Sequence, residues 1–212
     1  MSQAFPWYTA RGDDGTTGLL GAGRVPKYHP QPEAFGAVDE AGSMIGYARA
    51  LVEDDEINDL LVQVQRHCYD LMAELAATPD AQAKFRRIDT EQVNWLAEVT
   101  DRFGQQVAMP REFVVPGDTQ ADAALDMART VVRRAERRVS QLLVEKMIEN
   151  PALVGYLNRL SSLLFVLGAQ CQYIRILHNH LNRLSSLLFV LGRYMVAKTG
   201  QDTMTFAKQR SK

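Results

Sequence analysis

Apolar residues recur every three or four positions through most of the chain, a spacing that is typical of amphipathic helices. The clearest stripe lies between Asp55 and about Ala77, and a similar spacing predicts an earlier helix from Glu33 to about Val52. The residues of the clear stripe are Ile57, Leu60, Leu61, Val64, Cys68, Leu71, Met72 and Leu75. Both segments are therefore predicted to be helices with one buried face.

Three further helices are predicted from residues that favour a helix start. These starts are Asp89, Thr119 with Asp122 three residues later, and Asn150 followed by Pro151. The helix after Thr119 is predicted to reach about Ile148, which would make it about 45 Å long at the usual helical rise. Long helices with short links indicate an all-α, up-and-down bundle. No segment alternates convincingly enough to be predicted as a strand in a sheet.

The chain divides into three parts by composition. Residues 1–32 are rich in glycine and proline, have little periodicity and are predicted to be a loop. Residues 33–200 form the predicted helical bundle domain, and residues 201–212 form a short C-terminal tail that we expect to be flexible.

An exact repeat interrupts the last predicted helix, because Leu157–Gly168 recurs 24 residues later as Leu181–Gly192. On a continuous helix this offset turns the second copy about 120° from the first and moves it about 36 Å along the axis. The two copies therefore cannot occupy the same place in one subunit. We expect the first copy to belong to the bundle, because Asn150-Pro151 ties it closely to the preceding helix. If the intervening residues loop out, the second copy takes that place instead.

Composition and charge exclude several classes of protein. The chain is 46% hydrophobic with a formal net charge of −1, so nothing global favours nucleic acid or an anionic membrane as partner. The two cysteines have no metal-ligand spacing. The N-terminus lacks the basic start and apolar run of a secretory signal, and the apolar runs are too short to cross a bilayer. These features predict a cytoplasmic protein.

Two segments could bind an anion. Arg129, Arg133 and Arg137 share one face of the long helix and offer the forked donors that suit phosphate. The segment from Tyr8 to Lys27 combines glycines, threonines and cations, although it is not a Walker A loop. Taken alone, the arginines could also form a salt-bridged surface, and the N-terminal segment could be a flexible tail.

Five motifs in a fixed order carry more information than either segment. They are Thr9-x-x-Gly12-Asp13-x-Gly15-x-Thr17, Phe35-Gly-Ala-Val-Asp39-Glu40, Phe113-Val-Val-Pro116-Gly117, Ala128-Arg-Thr-Val-Val-Arg-Arg-Ala-Glu-Arg137 and Leu157-Asn-Arg-Leu-Ser161. In this order the chain resembles the PduO-type ATP:cob(I)alamin adenosyltransferases, from Tyr8 to about Gly168. The resemblance implies a homotrimeric, ferritin-like five-helix bundle with active sites between subunits.

The resemblance also implies an activity, which is transfer of the 5′-deoxyadenosyl group of ATP to the cobalt of cob(I)alamin, with release of triphosphate. Mg²⁺ would be carried by ATP, with no metal ligands from the protein alone. Matching positions imply an ATP-binding set and a corrinoid or interface set. The ATP-binding set is Thr9, Gly12, Asp13, Gly15, Thr17, Lys27, Arg133, Arg137 and Asn158, or Asn182 if the second copy is native. The corrinoid or interface set is Phe113, Asp39 and Arg129.

Within these sets, Arg133 and Phe113 are expected to be the catalytic residues. Arg133 would contact the transferring nucleotide, and Phe113 would pack where the lower cobalt ligand would otherwise bind. Asp39 and Arg129 would pair across the subunit interface. For Arg137, a structural role is the alternative to ATP binding. A cobalamin reductase and an adenosylcobalamin-dependent acceptor enzyme are possible partners.

Two other interpretations stay open from the sequence. The chain could be a catalytically weak bundle that binds corrinoid or nucleotide and stores or delivers adenosylcobalamin. It could also be an engineered structural variant in which the helix segment was duplicated on purpose.

Overall fold

The computed structural model describes residues 8–107 and 114–198 of the chain. The chain divides into two compact units, Met1–Gln172 and Tyr173–Lys212, which we call unit 1 and unit 2. The helices are α1 (Pro30–Arg49), α2 (Asp55–Leu75), α3 (Gln82–Phe85), α4 (Thr90–Gly104), α5 (Gln120–Val144) and α6 (Ala152–Lys198). This confirms the predicted all-α helical bundle. The predicted tail, residues 201–212, lies outside the described residues.

Local side-chain caps fix most helix starts at the predicted positions. The Asp89 carboxylate accepts from the backbone N–H of Glu91, and the Gln92 side chain accepts from the Asp89 N–H. Thr119 Oγ1 accepts from the Asp122 N–H at 2.9 Å. Each cap satisfies backbone donors that a helix start leaves without partners.

The longest helix of unit 1 ends earlier than its sequence pattern predicts. It stops at Val144 instead of near Ile148, because Lys146 adopts a left-handed backbone conformation with φ of 57°. The Met147 N–H then donates to the Leu142 carbonyl, which closes the helix end. Ile148 is still buried, so the apolar pattern continues past the end of the helix.

The N-terminal segment contains a small sheet that the sequence analysis did not predict. β1 (Thr16–Gly18) and β2 (Arg24–Pro26) pair in antiparallel register. Each strand has only three residues, too few for an alternating pattern to stand out. The prediction of a loop over residues 1–32 was therefore wrong for these two strands, and also for residues 30–32, which already belong to α1.

The core of unit 1 lies where one face of α6 meets the other long helices. The Tyr156 hydroxyl lies 2.9 Å from His67 Nδ1 on α2, and Asn158 Nδ2 donates to Glu136 on α5. Gly155 faces Val93 on α4, where an added Cβ would make an ordinary contact. Separately, α1 packs against both α2 and α5.

The two copies of the repeat have opposite environments. In the first copy Leu157, Leu160, Leu163, Leu164 and Leu167 are fully buried in the core. All residues of the second copy, in unit 2, are exposed. The structure therefore gives the place in the bundle to the first copy.

α6 is long and apolar enough to cross a membrane by length and composition alone. It contains an 18-residue window of mean hydropathy 1.4, of which 56% is buried. Core helices of other proteins meet the same criterion, so this feature is weak evidence for a membrane span.

A buried polar cluster joins the end of α2 to the start of α6. Asn150 Nδ2 donates to Glu74 Oε2 at 3.2 Å and to the Ile88 carbonyl at 2.8 Å, and its Oδ1 accepts from the Ala152 N–H. Glu74 is only 3% exposed, and burial raises the pKa of its carboxyl, while the Asn150 hydrogen bond and the charge of Arg86 oppose that rise. The folded protein therefore binds the Glu74 proton more tightly than the unfolded chain does.

A raised pKa of Glu74 makes the stability of unit 1 dependent on pH. The stabilising contribution of the protonated carboxyl is present below the unfolded-state pKa and is lost as pH rises through the folded-state pKa. Glu74→Gln should therefore be more stable than the original chain at pH 7, and the gain should shrink as pH falls towards 4.5, the ordinary pKa of a glutamate side chain. Urea unfolding across this range measures the difference. Glu98→Gln, on the exposed side of α4, is the control for the loss of one carboxylate. A Glu74→Gln effect that is independent of pH would contradict this account.

Candidate functional site

The N-terminal segment is organised by polar contacts around the small sheet. The Asp14 carboxylate accepts from the backbone N–H of Thr16 at 2.9 Å and from its hydroxyl at 2.8 Å. These two hydrogen bonds, the backbone one first, lower the pKa of Asp14. Arg24 Nε donates to Thr16 Oγ1, and Arg24 Nη2 donates to the Arg11 carbonyl. The segment therefore has a defined conformation and is not an unstructured tail.

Gly12, Gly15 and Lys27 come together in this segment. A Cβ on residue 12 would lie 3.2 Å from Lys27 Nζ, so the ammonium group lies directly against the Gly12 backbone. The Lys27 N–H donates to the Gly15 carbonyl, and Gly15 has a φ of +78° that favours glycine. A cation beside a glycine turn is a suitable arrangement for binding an anion.

The segment is anchored to the end of α2. The Leu20 N–H donates to the Ala76 carbonyl at 2.8 Å, and the Thr78 N–H donates to the Leu20 carbonyl at 2.9 Å. The buried Gln31 side chain donates to the carbonyls of Leu75 and Ala77. These four bonds fix the glycine and threonine segment to the bundle.

The arginines of α5 fall into two groups by their partners. Arg134 pairs with Glu40 and Arg138 pairs with Glu33, which ties α5 to α1. Arg129 Nε pairs with Asp126 at 2.7 Å on a half-buried surface. These three cations are at least partly neutralised within the chain.

Arg133 and Arg137 form the second group. Arg137 Nη1 donates to the Arg133 carbonyl at 2.9 Å. Both side chains are exposed, and neither pairs with a carboxylate within residues 8–107 and 114–198. Two adjacent cations without a carboxylate can accept an external anion.

Asn158 lies next to this pair. Its Nδ2 donates to Glu136 Oε1 at 2.9 Å, and its Oδ1 accepts from Arg159 at 2.9 Å. Glu136 is three residues after Arg133, so their side chains are neighbours on the surface of α5. The structure thus brings Asn158 of the first copy close to the arginine row.

An open pocket lies between the start of α5 and residues 164–172 of α6. Its lining is Val114, Pro116, Asp122, Asp126, Leu164, Phe165, Gly168, Ala169 and Gln172. Asp122 is buried and its Oδ2 accepts from the Gly117 N–H and from Gln172 Nε2, both at 2.8 Å. A Cβ on residue 168 would lie 2.9 Å from Asp122 Oδ1, so only glycine fits there without a shift.

The other predicted site residues are placed as follows. Thr9 and Asp13 are exposed in the N-terminal segment, and Thr17 is half-buried in β1. Asp39 is exposed on α1 and forms no ion pair with Arg129 within the described part of one chain. Phe113 lies outside the described residues.

Three residues at the pocket were not predicted from the sequence as site residues, namely Asp122, Phe165 and Gln172. Asp122 was noted only as a favourable residue in the first turn of the long helix. Its second role could have been suspected from Asp126, which lies one turn later and therefore on the same face. Phe165 and Gln172 carry no such signal, because only the packing of α6 brings them to the pocket.

Comparisons with known proteins agree on one family. The family model described as cobalamin adenosyltransferase matches residues 7–171. The corrinoid adenosyltransferase of Mycobacterium bovis is 39% identical over 165 residues, which covers 76% of this chain and 85% of that protein. The corrinoid adenosyltransferase PduO of Salmonella typhimurium is 36% identical over 161 residues. This chain spans about half the length of that relative, with 48% covered.

Solved structures agree with the sequence relatives. A variant PduO-type ATP:corrinoid adenosyltransferase from Lactobacillus reuteri, complexed with cobalamin and ATP, aligns with a TM-score of 0.75 and 31% identity. The alignment covers 80% of this chain and 92% of that one. The family match ends at residue 171, so the second copy of the repeat lies outside it.

The anchor between the N-terminal segment and α2 leads to a specific prediction at Gly21. This glycine has a φ of +130°, and a Cβ there would overlap Thr78 Oγ1. Gly21→Ala should therefore break the paired bonds of Leu20 and Thr78, which hydrogen–deuterium exchange at those amides would detect. Gly23→Ala is the matched control, because Gly23 has a φ of +125° but nothing within 4 Å of an added Cβ. Equal loss of protection in both variants would show that backbone strain, and not the overlap with Thr78, is responsible.

Proposed function

This chain belongs to the cobalamin adenosyltransferase family, and we propose that it transfers the 5′-deoxyadenosyl group of ATP to a reduced corrinoid. In this reaction the cob(I)alamin cobalt attacks C5′ of ATP, a cobalt–carbon bond forms, the C5′–O bond breaks and triphosphate leaves. The cobalt supplies the electron pair and is formally oxidised from Co(I) to Co(III). The observation that carries the proposal is the family match over residues 7–171, which includes every predicted site residue of unit 1.

We assign the triphosphate to the N-terminal segment and the exposed arginines. Lys27 provides a cation against the Gly12 backbone, and Thr9, Asp13, Gly15 and Thr17 belong to the same segment. Because the leaving group is a polyanion, positioned cations and N–H donors stabilise the charge that develops on it. The protein needs no nucleophile of its own, since the reduced cobalt is the nucleophile.

Arg133 is the residue to which we assign the main catalytic role. It has no carboxylate partner in the described part of the chain, so its guanidinium is available for phosphate. Asn158 is held near it through Glu136 and would contact the nucleotide. Arg137 lies beside Arg133 and is assigned to the same ATP-binding set, with a structural role as its alternative.

We place the corrinoid near the open pocket at the start of α5. Val114 and Pro116 line this pocket, one and three residues after Phe113 in the chain. The proposed role of Phe113 is to exclude a lower ligand from the cobalt, which favours the four-coordinate, more easily reduced metal. Asp39 and Arg129 are proposed to pair across the interface of a homotrimer, which would place each site between two subunits.

Mg²⁺ is proposed to arrive bound to the triphosphate. No group of three or more His, Cys, Asp or Glu side chains in the described part of the chain could hold a metal ion. When bound, Mg²⁺ would neutralise part of the triphosphate charge. We further propose a cytoplasmic location, a reductase that supplies the cob(I)alamin, and an acceptor enzyme that uses the product.

The first test separates an enzyme from a binding protein. The chain is incubated anaerobically with reduced cobalamin and MgATP, and the visible spectrum is followed for conversion to adenosylcobalamin. ATP binding is measured in parallel by calorimetry. ATP binding without turnover would instead support a bundle that stores or delivers the cofactor. The absence of both would support a structural role for the duplicated chain.

Arg133→Ala is predicted to lower kcat/KM by about 100-fold or more, the scale of losing one donor to developing charge. Arg133→Lys should recover only part of this loss, because lysine keeps the charge but not the fork. Arg138→Ala is the control on the same helix, since Arg138 pairs with Glu33 at 3.7 Å and is given no role in the site. Near-normal kcat/KM for Arg133→Ala would remove this residue from the mechanism.

The repeat provides an internal control for Asn158. Asn158→Ala removes the amide held by Glu136 and should lower kcat/KM by about tenfold, from the loss of one polar contact worth roughly 1.4 kcal/mol. Asn182→Ala changes the same residue of the second copy, which is exposed, and should leave kcat/KM unchanged. The reverse result would mean that the second copy occupies the site in solution.

A further inference from the structure

Unit 2 exposes a regular apolar stripe along its helix. Ile174, Leu177, Leu181, Leu184, Leu188 and Leu191 follow one another at alternating intervals of three and four residues. We call these six residues the seam. They are between 39% and 64% exposed in the isolated chain. An apolar repeat with this spacing is the pattern of a coiled-coil contact face.

The repeat shows what kind of surface this face fits. Leu181, Leu184, Leu188 and Leu191 of the seam correspond to four leucines of the first copy that are fully buried between helices of unit 1. These four are Leu157, Leu160, Leu164 and Leu167. The same side chains in the same order therefore already pack against helices in this protein. A helical partner is indicated for the second copy as well.

The distribution of charge along unit 2 is compatible with a partner that is identical to itself. The positions that flank the seam are Tyr173, His178, His180, Ser185, Leu187 and Gly192. None of them carries a charge when histidine is neutral. Arg175, Arg183 and Arg193 lie on the side of the helix away from the seam, and Lys198 follows seven residues after the last seam residue. Residues 173–198 contain no Asp or Glu. Two copies can therefore bring their seams together without placing like charges at the contact.

We propose that the seam of unit 2 packs against the seam of a second copy of this chain, forming a coiled coil between subunits. The contact buries the six apolar residues that a single chain leaves exposed. It also provides an association surface outside the part of the chain that matches the family.

An exchange of segments between chains fits the observations less well. In that arrangement the second copy would enter the bundle of another chain and displace its first copy. His180 would then take the place of the fully buried Tyr156. Val196 would take the place of Gln172, which donates to the buried Asp122 at 2.8 Å. The exchange loses these contacts and exposes one copy for each copy that it buries, whereas a coiled coil buries the seam and keeps both contacts.

The experiment compares the full chain with two double variants of equal charge and spacing. Leu184→Glu with Leu191→Glu places two carboxylates on the seam. Asn179→Glu with Ser186→Glu places two carboxylates, also seven residues apart, on the opposite side of the same helix. Both leave unit 1 unchanged. Sedimentation velocity over a dilution series gives the concentration at which each protein dissociates, and hydrogen–deuterium exchange follows the amides of residues 173–198.

The seam variant should dissociate at a concentration at least about tenfold higher than the other two proteins, and its unit 2 amides should lose protection. Equal dissociation and equal protection in all three proteins would overturn the proposal. Faster hydrogen exchange of the first copy in the original chain than in the seam variant would show segment exchange and would also overturn the proposal. Peptides that include Gly155-Tyr156 distinguish the first copy from the second. Protection that depends on vesicles of phosphatidylcholine and phosphatidylglycerol would overturn the proposal as well, since that would identify a membrane surface as the partner.

Discussion

The burial of one face of α6 against three other helices is the contact on which unit 1 depends. Tyr156 meets α2, Gly155 meets α4, and Asn158 and Gly168 meet α5. Full burial of a leucine contributes on the order of 1.5–3 kcal/mol, and five leucines of the first copy are fully buried here. The same face also forms parts of the site, because Asn158 lies at the arginine row and Phe165 and Gln172 line the pocket.

Electrostatic pairing on α5 divides its arginines into those with a carboxylate partner and those that we propose bind ATP. Like charges one turn apart repel each other, so a helix with five arginines between residues 129 and 138 needs compensation. Glu40, Glu33 and Asp126 provide it for three of them. The exposed Arg133 and Arg137 lack such compensation in the described part of the chain. An incoming triphosphate would supply the missing negative charge, so ligand binding and relief of repulsion would coincide.

Local signals allowed much of the fold to be predicted from the sequence. The Asp89 and Thr119 caps act over three residues, and the apolar residues of α2 recur every three or four positions, so both signals are visible in the sequence itself. The early end of α5 was not predicted, since it depends on a left-handed conformation at Lys146 that lysine does not signal. The three-residue strands were missed because they are too short to show a period.

The site was less predictable than the fold for a physical reason. Glycines, threonines and arginines were found by type and order, but their partners were not. The neutralisation of Arg129 by Asp126 and the support of Asp122 by Gln172 depend on side-chain geometry. The roles of Asp39, Arg129 and Phe113 depend on a second subunit or a bound corrinoid, and they stay proposals.

Because the two copies are identical, the loss of one repeat unit gives a single, defined shorter chain. Joining equivalent points of the two copies removes 24 residues, and every such junction within the repeat gives the same protein sequence. The shortened chain would keep every buried residue up to Gly168 and continue directly with Arg193-Tyr194-Met195-Val196. Ala169 would then be replaced by arginine in the pocket wall that contains Asp122 and Asp126. A single genetic event could therefore remove the exposed helix copy and introduce a guanidinium next to two carboxylates.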